Sequence, residues 1–430
     1  MRNLYITLAA TVIFSLASTG LAAQAPLYFP PSGSAVWDTV AAQTLGWCPK
    51  QLDSLDAFLK RKNTKSFIVL HRGKIVHERY FGTFTGDSLW YWASAGKTIM
   101  AFLTGKAQEE GKLSLGDTSS RYLGKGWTSA PPAKENLITV RDHLQMTTGL
   151  EFRVANLNCT ADTCLKYRAD AGTQWFYHNA TYLLLHDILS SATNLSVNQY
   201  TWQKLRQNIG MKGFWVGTTY FSNARAMARF GMLMLAEAQW NGVSILNDTN
   251  FFRAMIRPSQ NINPSYGYLT WLNGQTSYIP PGLSFPITGA MVPAAPADMY
   301  MAAGKDDQRI YVVPSEKLVV VRQGNAADSS FLAVSSFDNA LWQELNKLRC
   351  GAPVGQKEYA YSPLGVYPNP AQEYIFSETL AAGTPYAIFD MLGRKVLEGM
   401  YKPEGIHLQS LQPGLYILST TGAHEIFQKQ

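Results

Sequence analysis

The sequence predicts an α+β fold: an antiparallel sheet flanked by helices, followed by a small all-β unit. A hairpin pattern stands early, between Ser66 and Tyr80, and two further strand patterns stand late, between Arg309 and Arg322. The segments between them carry helical periodicity, so the sheet closes only after a long helical excursion. Beyond Cys350 that periodicity stops, and short strand-like runs separated by Gly and Pro take over.

The chain has 430 residues, 46% hydrophobic and 16% charged, which fits one large domain plus a smaller one. The net charge of +7 is spread along the chain with no Lys/Arg-rich run, which speaks against a nucleic-acid partner. Arg2, the apolar run Leu4 to Leu16 and the small-residue ending Leu21-Ala22-Ala23 have the layout of a secretory signal peptide, residues 1–23, cut after Ala23. The segment holding Pro26, Pro30 and Pro31 follows it, which disfavours a membrane anchor. No other apolar run is long enough to span a bilayer, so no transmembrane segment is expected after cleavage.

An exported chain can carry disulfides. The four cysteines are Cys48, Cys159, Cys164 and Cys350. Four allow three pairings. Cys159 and Cys164 stand close together in one loop, which favours a local bridge. There is no Cys-x-x-Cys pair and no His cluster beside them, so neither a metal nor another cofactor is expected.

In order, Lys50 to Lys60 reads as a helix. Ser66 to His71 and Ile75 to Tyr80 read as strands about an Arg72-Gly73-Lys74 turn. Ser94 opens a helix whose apolar face is Ile99, Met100, Phe102, Leu103 and Ala107, with Gly111 as its stop. A loop with paired prolines leads to a helix from Asp142 through Met146, expected to end at Gly149. Residues 150–176 are irregular. Helices follow at Ala180 to Ser191 and Ser222 to Glu237. Arg309 to Val313 and Lys317 to Arg322 read as strands about Pro314-Ser315-Glu316, and Ser336 to Arg349 as a last helix. The larger unit is therefore placed at 24–350, a linker at 351–365 and a β-sandwich unit at 366–430.

Three segments carry candidate chemistry. In Ser94-x-x-Lys97 the two side chains share a helix face, so the amine can stand beside the hydroxyl. A serine hydroxyl needs a neighbouring base to become a nucleophile, and a buried lysine with a lowered pKa can be that base. Ser94 at a helix start also places its N–H among the unpaired donors that suit an oxyanion. Tyr177-His178-Asn179 stands at a loop-to-helix junction, where a phenol beside a cationic Lys97 is expected to have a lowered pKa and so to exchange protons with Ser94. Asn179 can donate and accept hydrogen bonds; the structural alternative is that it caps the next helix. In Met301-Ala302-Ala303-Gly304-Lys305-Asp306-Asp307-Gln308 a glycine at a strand edge lets a substrate backbone come close. The N–H after that glycine can be a second oxyanion donor.

These segments, in this order, resemble the serine β-lactamase-like superfamily, nearest its branch of class C β-lactamases, penicillin-binding esterases and 6-aminohexanoate-dimer hydrolases. Val140 to Leu150, Ala228-Arg229-Phe230-Gly231-Met232-Leu233 and Gln308 to Pro314 are similar to that family too, over about residues 50 to 350. The resemblance implies an all-helical subdomain beside the sheet. It makes Ser94 the acylated nucleophile, Lys97 and Tyr177 the proton-transfer pair, Asn179 a substrate-positioning group, and the N–H groups of Ser94 and Lys305 the oxyanion hole beside Gly304. It also implies a Cys48–Cys350 bridge, because the family's two terminal helices pack side by side. One departure stands out. Where true β-lactamases have Lys-Thr-Gly or His-Thr-Gly, this chain has Ala302-Ala303-Gly304. That leans toward an esterase or amidase, and Asp306 and Asp307 add negative charge that favours neutral or cationic substrates.

The C-terminal run Val366-Tyr367-Pro368-Asn369-Pro370, then Asp390-Met391-Leu392-Gly393-Arg394 and Leu411-Gln412-Pro413-Gly414, resembles the type A sorting domain of the type IX secretion system. The expected partners are a small-molecule ester or amide and that secretion machinery, and the expected location is beyond the outer membrane or on the cell surface. The alternatives are a β-lactamase or D-Ala-D-Ala carboxypeptidase, and a catalytically silent binding protein on the same fold.

Overall fold

The structure, a computed structural model, describes residues 26–328, 336–350, 364–391, 393–420 and 423–430. The expected signal peptide and most of the expected linker lie outside these. Helix α1 is Pro49–Arg61, with Pro at the first helical position, where its missing N–H costs nothing. Strands β1 (Thr64–His71) and β2 (Lys74–Tyr80) form the early hairpin, and Arg72 and Gly73 take positive φ in its turn. Strand β3 is Trp90–Tyr91, and helix α2 is Gly96–Glu109.

Helix α3 runs Val140–Gln145, which corrects the expected Asp142-to-Gly149 placement at both ends. It starts earlier because Thr139 and Asp142 form a reciprocal capping box. It stops earlier because Met146 turns left-handed at φ 62°. Gly149, at φ 72°, serves a different purpose: a Cβ there would lie 2.2 Å from the Ala169 carbonyl oxygen. Helix α4 is Asn179–Thr193, strands β4 and β5 are Phe214–Val216 and Thr219–Ser222, and helix α5 is Ala224–Leu235. Asn223 caps α5 by accepting from the Ala226 N–H at 2.9 Å.

Strand β6 (Trp271–Leu272), β7 (Tyr300–Gly304), β8 (Gln308–Val313) and β9 (Leu318–Gly324) complete the main sheet. Its order is β2-β1-β9-β8-β7-β6, antiparallel throughout. Every residue of β8 and β9 is buried. Neighbouring β8 residues face opposite sides, and each side has its own helix cover. On one, a Cβ on Gly231 would come 2.8 Å from Ile310 and 2.5 Å from Val319, so α5 lies directly on the sheet. On the other, Tyr311 meets Trp342 and Asp338 of helix α6, Ser336–Asn346. Helices α1 and α6 are neighbours through stacked Phe58 and Phe337.

Cys48 and Cys350 form a bridge across these terminal helices, and Cys159 and Cys164 form the local one. The C-terminal unit holds a three-stranded and a four-stranded antiparallel sheet around Ile375, Ile388, Leu418 and Phe427. Leu364, at the end of the expected linker, is already part of that core.

Candidate active site

Ser94 lies in a 3-10 turn, Ala93–Ala95, immediately before α2. Ala93 adopts φ 48°, a conformation that costs a non-glycine residue energy and has to be held by its surroundings. The hold is visible. Trp92 is fully buried, its indole N–H donates to Ser222 Oγ at 2.7 Å, and its backbone N–H donates to Tyr220 O at 2.8 Å. Pairing of β3 with β5 fixes the chain just ahead of it.

Lys97 is one turn on, 4% exposed, and its Nζ donates to Ser94 Oγ at 3.0 Å. The ammonium lies 4.2 Å from the Tyr182 ring centroid and 5.1 Å from that of Tyr177. Burial brings its pKa from 10.5 to about 7, with no carboxylate offsetting the loss of water.

Tyr177 arrives from the loop before α4 and is buried against Trp271 (5.6 Å, stacked) and Tyr266 (6.2 Å, edge-on). The expected lowering of its pKa needs correction: burial pushes the phenol up, and the Ser94 side chain and the Arg309 charge pull it only part of the way back. Asn179 is the first residue of α4, with His178 as the N-cap and no side-chain cap bond. Asn179 is therefore not a cap. Its Oδ1 is buried without a hydrogen-bond partner among the described residues, which is uncommon for a buried acceptor.

Gly304 ends β7 against the Ser94 turn. A Cβ there would stand 2.2 Å from Trp92 O and 3.0 Å from Ala95 N, so only glycine permits this approach. Strand β6 pairs with Tyr300 and Met301, and among the described residues the outer edge of β7 has no strand partner from Ala302 to Gly304. Ala302 and Ala303 are buried, and Lys305 is exposed, so Lys305 does not take the place of the family's first-position cation.

The expectation that both aspartates bring charge to the site needs correction. Asp306 is at the rim and accepts from Tyr91 OH at 2.5 Å. Asp307 is buried, receives Arg309 at 3.0 Å and accepts from the Ala327 N–H at 2.9 Å. Its charge is spent inside the fold.

The structure thus brings together Ser94, Lys97 and Tyr177, and sets the Gly304 end of β7 beside Ser94. Reading the sequence missed Arg309, Tyr182 and the Trp271/Tyr266 wall. Arg309 is a charge inside an apolar strand run, and Tyr182 stands three residues after Asn179 on the same helix; both signals were there to read. Among the described residues no group of His, Cys, Asp and Glu could hold a metal ion, and no helix is long and apolar enough to cross a membrane.

Residues 56–334 match the family model described as Beta-lactamase, and residues 365–430 match that of the Secretion system C-terminal sorting domain. No curated protein matches the chain. Among solved structures, a Bacillus anthracis protein described as a candidate 6-aminohexanoate-dimer hydrolase aligns with TM-score 0.56 and 18% identity, covering 72% of this chain and 87% of its own. A candidate beta-lactamase from Bacteroides dorei aligns with TM-score 0.55 and 16% identity, covering 70% and 99%. A penicillin-binding protein homolog from Caulobacter crescentus aligns with TM-score 0.53 and 12% identity, covering 70% and 98%. At these identities the likeness is one of fold.

Proposed function

We propose that this chain, which belongs to the Beta-lactamase family through residues 56–334, is an exported serine hydrolase that cleaves an ester or amide through an acyl-enzyme on Ser94. The observation that carries the reading is the Lys97 Nζ to Ser94 Oγ contact of 3.0 Å, made by a buried amine with a pKa of about 7. Near neutral pH a substantial share of Lys97 is the free amine and can take the Ser94 proton. Tyr177, whose pKa is raised, stays protonated. It suits the delivery of a proton to the departing alkoxide or amine. Ser94 Oγ bonds to the carbonyl carbon, and the oxyanion takes hydrogen bonds from the N–H groups of Ser94 and Lys305. Collapse expels the alcohol or amine. Water then attacks the ester carbonyl on Ser94 and gives its proton to Tyr177; the bond from Ser94 Oγ to the carbonyl carbon breaks, Lys97 returns its proton to Oγ, and the acid leaves.

Asn179 Oδ1 would accept from an N–H of the bound substrate. Ala302 and Ala303 bring no cation to the β7 edge, and Arg309 is fully engaged behind it, so nothing there rewards a substrate carboxylate. That favours a simple ester or linear amide over a penicillin-type ligand. The match of residues 365–430 to a secretion sorting domain supports export by the type IX machinery to the cell surface or medium.

The test compares a short-chain nitrophenyl ester, a linear amide, a D-peptide and a chromogenic cephalosporin, with a fluorophosphonate probe for covalent labelling. The expected result is labelling and ester turnover, both lost in Ser94→Ala with the fold retained. Preferential cephalosporin or D-peptide turnover would replace this reading with a β-lactamase or carboxypeptidase. Absence of labelling and turnover would leave a silent binding protein.

A further inference from the structure

Resting on that reading, we propose that Tyr182 is a positioning residue of the same site: its ring face seats the Lys97 ammonium and holds Nζ against Ser94. The Lys97 Nζ is 4.2 Å from the Tyr182 ring centroid, closer than the 5.1 Å to Tyr177. Ring faces attract cations, more strongly where water is excluded, and both Lys97 and Tyr182 are 4% exposed.

Tyr182 is itself fixed. Its hydroxyl donates to Thr218 O at 3.3 Å, and His186 Nε2 lies 3.1 Å from the same oxygen. With that hydroxyl proton committed to Thr218, the His186 ring is the donor to Tyr182. Burial and the Lys97 charge hold His186 neutral, down to about 3. It therefore adds no competing cation at working pH. The ring belongs to α4, the helix that also carries Asn179. One helix thus sets both a substrate-facing amide and the seat of the base.

Tyr177 offers a second, more distant ring at 5.1 Å, itself packed on Trp271 and Tyr266, so Tyr182 is the nearer face. The remaining groups around Lys97 supply no such seat. Tyr220 stands behind Gly96, with its ring on Trp92 and Trp215. Strand β7 brings Ala302, Ala303 and Gly304. Lys106 and Lys204 are paired with Glu109 and Glu110 at the far end of α2. Arg206 turns to Met211 O, and Arg253 is exposed. The ring favours the ammonium, so it opposes the effect of burial. Without it, Lys97 would lose its proton at still lower pH.

The experiment is the pH dependence of the fluorophosphonate labelling rate of Ser94 in the full chain. Tyr182→Leu keeps the site dry and removes the ring, and should move the midpoint down by about one pH unit or more. Tyr182→Phe keeps the ring and should keep the midpoint. A Leu midpoint that stays or rises overturns the proposal. If Tyr182→Leu does not fold, pentafluorophenylalanine placed at position 182 reverses the charge of the ring face at nearly constant shape. Its midpoint should fall below that of Tyr182→Phe, and equal midpoints overturn the proposal. A lysine side-chain NMR titration in the Ser94→Ala background reads the same Lys97 shift without any reaction. If wild type is never labelled, the hydrolase reading falls, and the NMR midpoint decides the role of Tyr182 by itself.

Discussion

The Arg309 guanidinium donates to the Gly304 carbonyl oxygen at 2.6 Å. A trans peptide is planar, so fixing that carbonyl turns the Lys305 N–H to the opposite side, away from Arg309. Arg309 is in turn held by Asp338 at 2.6 and 2.9 Å and by Asp307 at 3.0 Å. The orientation of the peptide that borders Ser94 is thus set from α6, on the far side of the sheet.

Arg309→Lys should therefore lower ester kcat more than it changes KM. A lysine is a point charge and cannot hold Asp338, Asp307 and Gly304 O at once. Losing one oxyanion donor costs about 10²- to 10³-fold, and a misaimed donor should cost a good part of that. Stability should also fall, because the buried carboxylates lose partners. Steady-state kinetics beside urea unfolding would check both, and an unchanged kcat would separate Arg309 from the site.

Gly304→Ala tests the same wall from the front. The added Cβ would sit 2.2 Å from Trp92 O, a backbone atom that cannot rotate away. Strand β7 must move off the Ser94 turn, and acylation should slow by about 10²-fold or more. Pre-steady-state release of nitrophenol reads that step directly. Full burst kinetics in this variant would show that the approach of Gly304 to Ser94 does not matter for acylation.

Lys97 gives a prediction in pH. The unfolded chain keeps the Lys97 proton up to about 10.5, while the folded chain releases it near 7. Between these values unfolding takes up a proton, so the Lys97 contribution to stability rises with pH across that window. Below about 7 the cost of burying the amine is fully present. Lys97→Met should thus be inactive yet more stable than wild type at neutral pH, with the gap closing toward pH 10.5. Unfolding midpoints of the two proteins across that range would check it, and parallel curves would contradict the lowered pKa.

What could be read in advance was what lies close in sequence. Ser94 and Lys97 share a helix face by spacing, and Gly304 announces a close approach, although not which backbone it approaches. Asn179 was legible as a residue, but not as a buried acceptor that does no capping. Asp307 was misread because its partner Arg309 sits there to serve Asp338, 29 residues beyond Arg309 and across the sheet. The end of α3 was misread because Gly149 looked like a stop. The turn is made by Met146, a non-glycine residue at positive φ with no mark in the sequence. Its start was readable, since Thr139-x-x-Asp142 is a capping signature.

The Cys48–Cys350 bridge spans a sequence separation of 302. Chain entropy assigns such a closure very roughly 5–6 kcal/mol, less any strain. Cys350→Ser should lower unfolding stability by up to that amount, while removing the Cys159–Cys164 bridge, with a separation of 5, should cost clearly less. Paired denaturant curves under non-reducing conditions would check the order. Equal losses would mean that unfolded-state entropy is not what the long bridge supplies.

The C-terminal unit gives the last prediction. It touches the rest of the chain: Phe389 stacks on Phe285 at 5.7 Å, and Ile417, 3% exposed, packs with the larger core. Yet no hydrogen bond, ion pair or ring contact described for Ser94, Lys97, Tyr177, Asn179 or Gly304 involves a residue beyond 364. If the tail is an address and not part of the catalyst, a protein spanning Gln24 to Gly355 should fold and hydrolyse ester as well as the longer chain. Its melting temperature should drop slightly, because Phe285 loses its cover. In the native host the same truncation should strand the enzyme in the periplasm, since a signal peptide crosses only the inner membrane. Mass analysis of the exported protein should then find a new C-terminus between Gly351 and Gly365. A truncated protein that reached the surface, or lost ester turnover when pure, would make the tail a substrate-handling domain instead.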